Sequence, residues 1–276
     1  MKRTVGLAVL VLALALGAAL VLAPAGAALS GSISIVGSTS VQPLAEELAR
    51  AFMAKNPGVN VTVAGGGSSA GIKAVLTGAA DIGASSRELK PGEEAALTAT
   101  VIARDGIAVI VNKSNKVSKL TLEQIYRMYT GKVRNWKEVG GAASPIVLIG
   151  RDAASGTRGA FEELVYRVFD KKAASSPAML QQGSTGTIRQ IVATNRFAVG
   201  YISLGALDKS VKAVMIDNVA ANAANVMNKT YKISRPFIFA TKGAPRGLAK
   251  SFIAYILSPA GQAVVAREFV SVGKTK

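Results

Sequence analysis

The sequence predicts an α/β fold, a parallel sheet with helices packed on its faces. Two observations carry this reading. Short β-branched runs alternate with longer stretches whose apolar residues recur at i, i+3, i+4 and i+7, the periods of strand and helix. The first of these units follow one another in the order β-α-β-α-β, which sets the strands parallel.

Residues 32–36 read as the first strand, and Gly37-Ser38-Thr39-Ser40 as the turn after it. A helix over 41–55 would bury Val41, Leu44, Ala45, Leu48 and Phe52 on one face. Thr39 with Gln42 three residues on resembles a capping box, and Ser40 is the rival N-cap. Asn56-Pro57-Gly58 ends the helix. A second strand at 59–63 leads into the glycine-serine loop 65–71, and a short helix then buries Ile72, Val75 and Leu76. The third strand, 81–84, ends in Ser85-Ser86-Arg87.

The longest β-like run, 101–111, predicts a strand that crosses into a second unit, because the pattern then restarts. A helix at 120–129, a strand at 145–149 and a polar loop at 151–157 come next. The helix at 158–169 is expected to turn Phe161, Leu164, Val165 and Val168 inward. A turn at 183–187, a helix at 188–194 and a strand at 198–203 complete this unit. Residues 211–216 are expected to return to the first unit, where 236–241 adds a strand and helices at 248–257 and 259–269 close the chain. The Ala/Asn-rich stretch 219–229 reads as a surface loop without chemistry.

Composition narrows the function. With 276 residues, 50% of them hydrophobic, the chain can bury one large core or two modest ones, and the restarting pattern favours two. Lys2 and Arg3, the apolar run 5–23 and the small residues Ala25 and Ala27 form an export signal over 1–28. The rival reading is an uncleaved anchor, since a span needs ~20 apolar residues. There is no cysteine, which excludes disulfides, thiol chemistry and a lipidated N-terminal cysteine. There is no histidine, which excludes a Ser-His-Asp triad and the commonest transition-metal ligand. No cofactor and no metal are expected. The net charge of +17 is spread along the chain, and aromatic residues make up only 5%. That is thin for base stacking, so the charge points to small anions and not to nucleic acid.

Three segments share one design: a strand ends, small hydroxyl and glycine residues follow, and a helix begins. They are Gly37-Ser38-Thr39-Ser40, Gly65-Gly66-Gly67-Ser68-Ser69-Ala70-Gly71 and Arg151-Asp152-Ala153-Ala154-Ser155-Gly156-Thr157. Helix N-termini present unpaired N–H donors and a partial positive charge, and small residues admit an anion closely. Such loops converge at the carboxyl ends of strands in an open α/β sheet. Any one of them alone is an ordinary N-cap, and Arg151 alone an ordinary surface charge; their number and the arginine at a loop head point to an oxyanion site. The glycines match neither G-x-x-x-x-G-K-[ST] nor G-x-G-x-x-G with its following acid, so a nucleotide site is not expected.

These loops, with Asp81-Ile-Gly-Ala-Ser-Ser-Arg-Glu88, 120–125 with Gly131 and Asn135-Trp136, and 198–203, resemble in order the signature segments of the phosphate-binding proteins of ABC transporters. The resemblance runs from residue 32 to the C-terminus. It implies a periplasmic-binding-protein fold of type II, two α/β lobes joined by two hinge crossovers: lobe 1 over 31–111 plus 212–276, lobe 2 over 112–211. It implies an exported, extracytoplasmic, monomeric binding protein that takes inorganic phosphate and hands it to a membrane permease, and that is not an enzyme. By the family pattern the contacts fall on Thr39, the backbone N–H of Ser40, Ser68, Arg151, Ser155, Gly156 and Thr157, with Ser38 beside them and Ser69 next in its loop.

One position departs from the pattern. Where some members carry an aspartate that accepts the proton of hydrogen phosphate and repels sulfate, this chain has Ser86. Asp152 is the nearest replacement; its structural alternative is a salt bridge that orients Arg151 or Arg158. Sulfate, tungstate or another tetrahedral oxyanion therefore stands as an alternative ligand. A phosphatase or acyl transferase using Ser68 or Ser155 as nucleophile lacks histidine, a metal cluster and an obvious base, and an adhesion or anion-sensing role on the same scaffold is the third alternative.

Overall fold

The computed structural model describes residues 28–273; the expected export signal, through residue 27, lies outside them. The chain runs β1 (Ser30–Gly37), α1 (Gln42–Lys55), β2 (Gly58–Ala64), α2 (Ser68–Thr77), β3 (Ile82–Ser85), α3 (Pro91–Glu94) and β4 (Leu97–Asn112). It continues through β5 (Lys119–Leu120), α4 (Leu122–Tyr129), a 3-10 turn at Trp136–Val139, β6 (Val147–Arg151) and α5 (Gly156–Phe161), which passes into a π-helical turn at Glu162–Tyr166. Then come β7 (Leu180–Gln182), α6 (Thr185–Thr194), β8 (Ala198–Ser203), a 3-10 turn at Leu204–Ala206, β9 (Val211–Ala213), β10 (Met215–Ile216), α7 (Ala223–Met227), β11 (Ser234–Lys242), α8 (Gly247–Leu257) and α9 (Pro259–Val265).

The sheet order is β2-β1-β3-β11-β4-β8-β6-β7. β1 pairs parallel with β2 and β3, as the βαβ order requires, and β6 pairs parallel with β7 and β8. Between these parallel groups run the antiparallel partners β11 and β4. β4 serves both groups. Its residues Leu97–Gly106 pair with β11, and Ile107–Val111 pair with β8. Buried on both faces, its second half is a continuous apolar run with no polar alternation. Ile107, Val109 and Val111 enter one core cluster with Tyr129, Trp136, Phe161 and Tyr201; Ala108 and Ile110 enter another with Ile188 and Val192 on the opposite face, the two-residue period of a strand. The first parallel group packs around Ile35, Leu48, Phe52, Ile82, Phe237, Phe239 and Phe252. The chain passes between the two packing units twice, along β4 near Gly106 and at the start of β11, where the Ile107 N–H donates to the Ile233 carbonyl at 2.9 Å.

Several expectations are corrected. Residues 211–216 do not return to the first unit: β9 pairs with β4 at Ile110–Asn112 and β10 pairs with β5. Val214, Ile216, Val226, Tyr231 and Ile233 stay in the second unit's core, so the return comes at β11. The stretch 219–229 is not structureless; Asn222 caps α7 and Val226 is buried. Leu76 and Val168 are exposed, not inward. For Val168 the cause is the π turn, whose extra residue breaks the helical period and rotates the residues after it. The helix α2 also begins earlier than expected, at Ser68 within the glycine loop.

Candidate functional site

The N-terminus of α1 decides what its hydroxyls can do. Val41 occupies the N-cap position with helical dihedrals and no side-chain cap, so neither the Thr39 box nor the Ser40 cap forms. The Ser38 carbonyl instead accepts from the Val41 and Gln42 N–H groups, at 3.1 and 3.0 Å. Gln42 turns away to donate to Glu46. The Thr39 and Ser40 hydroxyls are thereby released from capping and face the second unit. Ser40 Oγ lies 2.8 Å from Thr157 Oγ1 and 2.9 Å from Thr185 Oγ1. Thr39 Oγ1 accepts from the Thr185 N–H at 3.4 Å.

A second row of hydroxyls comes from α2 and the end of β3. Ser38 Oγ donates to Ser86 Oγ at 2.8 Å and accepts from the Ser40 N–H at 3.2 Å. Ser68 Oγ accepts from the Ser86 N–H at 3.1 Å and lies 3.5 Å from Ser86 Oγ. Ser38, Ser40, Ser68, Ser86, Thr157 and Thr185 are all buried. Gly156 closes the group from the second unit. A Cβ there would meet Ser68 Oγ and come within 2.8 Å of Ser86 Oγ, so only glycine lets α5 approach the serines this closely. Gly67, at φ 94°, allows the matching approach of its loop to the Ala154 carbonyl, and the Ser69 N–H donates to that same oxygen at 3.1 Å.

Arg151, at the end of β6, is the cation of this group and is 2% exposed. Its Nε donates to the Gln182 carbonyl at 3.1 Å, Nη2 to the Gly183 carbonyl at 2.9 Å and Nη1 to Thr185 Oγ1 at 3.2 Å. A guanidinium carries five N–H groups, so one on each terminal nitrogen remains, the fork that binds an oxyanion in two places. Among the described residues no carboxylate forms an ion pair with Arg151, while its neighbours Arg87, Arg158 and Arg235 pair with Glu93, Glu162 and Asp105. Burial pushes the Arg151 pKa down, and the nearby Asp152 opposes that push.

The remaining expected residues lie differently. Ser155 Oγ accepts from the Arg158 N–H at 3.2 Å and is the N-cap of α5. Ser69 sits at an outer cavity with Arg87, Lys90, Arg158 and Arg167, apart from the hydroxyl group. Asp152 makes no salt bridge to Arg151 or Arg158 among the described residues, though its charge lies close enough to support that of Arg151; its Oδ1 is buried without a hydrogen-bond partner. Thr185 was missed by sequence reasoning. Its signal was present in Gly183-Ser-Thr-Gly-Thr187, a fourth turn of the same design before a helix.

Residues 22–260 match the family model described as a PBP superfamily domain. The phosphate-binding protein PstS of Bacillus subtilis is 36% identical over 233 residues, 83% of this chain and 76% of that protein. The chain belongs to the phosphate-binding protein family. Among solved structures, this family member is similar to a putative phosphate ABC transporter substrate-binding protein with bound phosphate from Clostridium perfringens. The two are 44% identical with a TM-score of 0.83, covering 88% of this chain and all of that one. An ABC-type phosphate transport receptor from Vibrio cholerae is 37% identical with a TM-score of 0.72, covering 86% and 99%. The periplasmic-binding-protein-like fold that the resemblance implies is the fold of this family.

Proposed function

We propose that this chain is an extracytoplasmic binding protein that captures inorganic phosphate between two lobes and delivers it to the membrane permease of an ABC importer. The observation that carries this reading is the buried Arg151 guanidinium, which has no ion-pair partner among the described residues and stands among buried hydroxyls from both packing units. A buried cation without an ion-pair partner is costly, and a small oxyanion supplies that partner and accepts the donors at once. The proposed contacts are Ser38, Thr39, Ser40, Ser68 and Ser86 from lobe 1, and Arg151, Gly156, Thr157 and Thr185 from lobe 2. Ser155 acts by capping α5, and Asp152 is the candidate acceptor for a phosphate proton.

Lobe 1 in this reading is the unit built on β1–β3 and β11, and lobe 2 runs from the middle of β4 to β11. An anion that touches both lobes stabilises their closed arrangement by differential contact, and the permease then reads the closed shape. The relatives are substrate-binding transport proteins, and in this reading the chain performs no covalent chemistry: Ser68 Oγ has only Ser86 as a side-chain hydrogen-bond neighbour, and no histidine exists to activate it. A monomer suffices for the role. Calorimetric titration of the mature, anion-stripped protein tests it. One-to-one phosphate binding that excess sulfate does not displace is expected; absence of phosphate binding overturns the reading, and equal binding of sulfate moves the function to a broader oxyanion.

A further inference from the structure

A second buried cation lies behind the hydroxyl group and is neutralised in place. Arg235, at the start of β11, donates from Nε and Nη2 to Asp105 Oδ2 on β4, at 3.0 and 2.9 Å. Both side chains are buried. The two residues sit where the chain makes its two passages between the packing units, and each reaches in a different direction. Asp105 Oδ1 accepts from Ser203 Oγ at 2.9 Å and from the Leu204 N–H at 3.1 Å, both at the end of β8 in the second unit. Arg235 Nη1 donates to the Ser86 carbonyl at 3.1 Å, in the first unit. Ser86 in turn donates its N–H to Ser68 Oγ and accepts from Ser38 Oγ. One hydrogen-bonded chain therefore runs Leu204/Ser203, Asp105, Arg235, Ser86, Ser68/Ser38.

We infer that Arg235, held by Asp105, is a positioning residue for Ser86, and that the pair couples the relative placement of the two lobes to the donor geometry of the anion site. The inference rests on the proposed function. The physical argument is one of geometry. A guanidinium is a rigid planar fork, so fixing two of its nitrogens on Asp105 fixes the direction of the third. That third nitrogen holds the Ser86 carbonyl, and so anchors the chain at the Cα that carries the Ser86 side chain and adjoins its N–H. Asp105 is itself oriented by Ser203 and Leu204, so a rotation at the crossover that disturbs those two bonds is passed through the fork to Ser86. A pair that served stability alone would be replaceable by packed apolar groups at little cost and would need no branch into each unit.

The test uses Ser203→Ala and Arg235→Lys in the mature protein, with phosphate association and dissociation rates measured separately by stopped flow. Ser203→Ala removes one bond to Asp105 and leaves both residues of the ion pair and every proposed contact in place. It is expected to raise the phosphate dissociation rate several-fold, with the association rate and the melting temperature of the anion-free protein close to wild type. Arg235→Lys keeps the charge but loses the fork, and is expected to raise the dissociation rate by at least tenfold. A folded Ser203→Ala protein with an unchanged dissociation rate overturns the inference, even where Arg235→Lys does not fold. A shift confined to the anion-free melting temperature also overturns it, since that is the mark of a purely structural pair. If wild-type protein binds no phosphate, the proposed function falls first and this inference with it.

Discussion

Replacing Arg151 by methionine isolates the cation on which the proposed site is centred. Removing one partner of a buried, hydrogen-bonded charge pair costs about 2–5 kcal/mol, and at about 1.4 kcal/mol per decade this is a loss of roughly 30- to 4,000-fold in phosphate affinity. The anion-free protein should respond far less, because two effects oppose. The Gly183 carbonyl loses its donor, at about 1–3 kcal/mol for a group left unsatisfied, while the Gln182 carbonyl keeps the Asp152 N–H and the Thr185 hydroxyl keeps Ser40. Against this, a buried cation with no ion-pair partner disappears, and the downward push on its pKa shows that burial disfavours the charge. Thermal melting with and without phosphate separates the two. At about a thousandfold excess over the wild-type Kd, phosphate stabilises by about 4.1 kcal/mol. A variant bound a hundredfold more weakly keeps about 1.4 kcal/mol at the same concentration. With about 2–4 °C per kcal/mol for a chain of this size, the phosphate-induced rise in Tm should shrink by roughly 5–11 °C. A folded Arg151→Met protein whose phosphate-induced rise equals that of the wild type would refute the assignment of Arg151 to the site.

Gly156→Ala places a methyl group against Ser68 Oγ and Ser86 Oγ, so it should weaken phosphate binding by at least about tenfold, the worth of about 1.4 kcal/mol, while leaving the circular dichroism spectrum intact; titration calorimetry reads the loss. Thr185→Val removes the hydroxyl that Arg151, Ser40 and Thr39 share and should cost about 1–3 kcal/mol in binding, against no change if Thr185 only begins α6. Asp152→Asn should lower the ratio of phosphate to sulfate affinity, measured by competition; an unaltered ratio would remove Asp152 as the proton acceptor. Hydrogen bonds from Arg87 hold the Glu93 carboxyl below its usual value of 4.5. A depressed folded pKa gives stability that is present above pH 4.5 and lost as pH falls through the folded pKa, so Glu93→Gln should flatten the acid limb of the stability curve by less than about 1 kcal/mol.

The elements that carry the site were legible because each announces itself locally. Strand, small-residue turn and helix sit within a dozen residues of one another at Gly37, Gly65 and Arg151, and the period changes from two to 3.6 across each turn. What failed depended on partners remote in sequence. The run 211–216 has strand character, yet nothing in its residues says that β9 pairs with the far half of β4 and not with the first unit. Thr185 lay in a recognised turn, but its assignment needs Arg151 Nη1 and Ser40 Oγ on either side of it. Val168 failed for a backbone reason, since a π turn leaves no mark in an apolar pattern read at 3.6 residues.

The α1 turn shows most directly how a local rule yields to the site. Thr39 and Ser40 are the residues that favour N-caps, and a capping hydroxyl would spend its acceptor on the helix. Here the Ser38 carbonyl takes the Val41 and Gln42 N–H groups, and the hydroxyls turn to Thr157 and Thr185 of the second unit. The same logic bears on Ser86. Because Ser38 Oγ donates to it, Ser86 Oγ has its own proton left to give, to Ser68 Oγ at 3.5 Å or to an anion. A carboxylate at this position could only accept. In the proposed site Ser86 thus adds a donor where the family resemblance implies an aspartate acceptor in some members, and this edge would accept any tetrahedral oxyanion. Rejection of sulfate then has to come from a group that accepts, and the Asp152 Oδ1 is the one buried side-chain oxygen or nitrogen among the described residues without a partner. Selectivity for a protonated phosphate and the lone unsatisfied carboxylate oxygen are therefore one question, and the Asp152→Asn competition answers both.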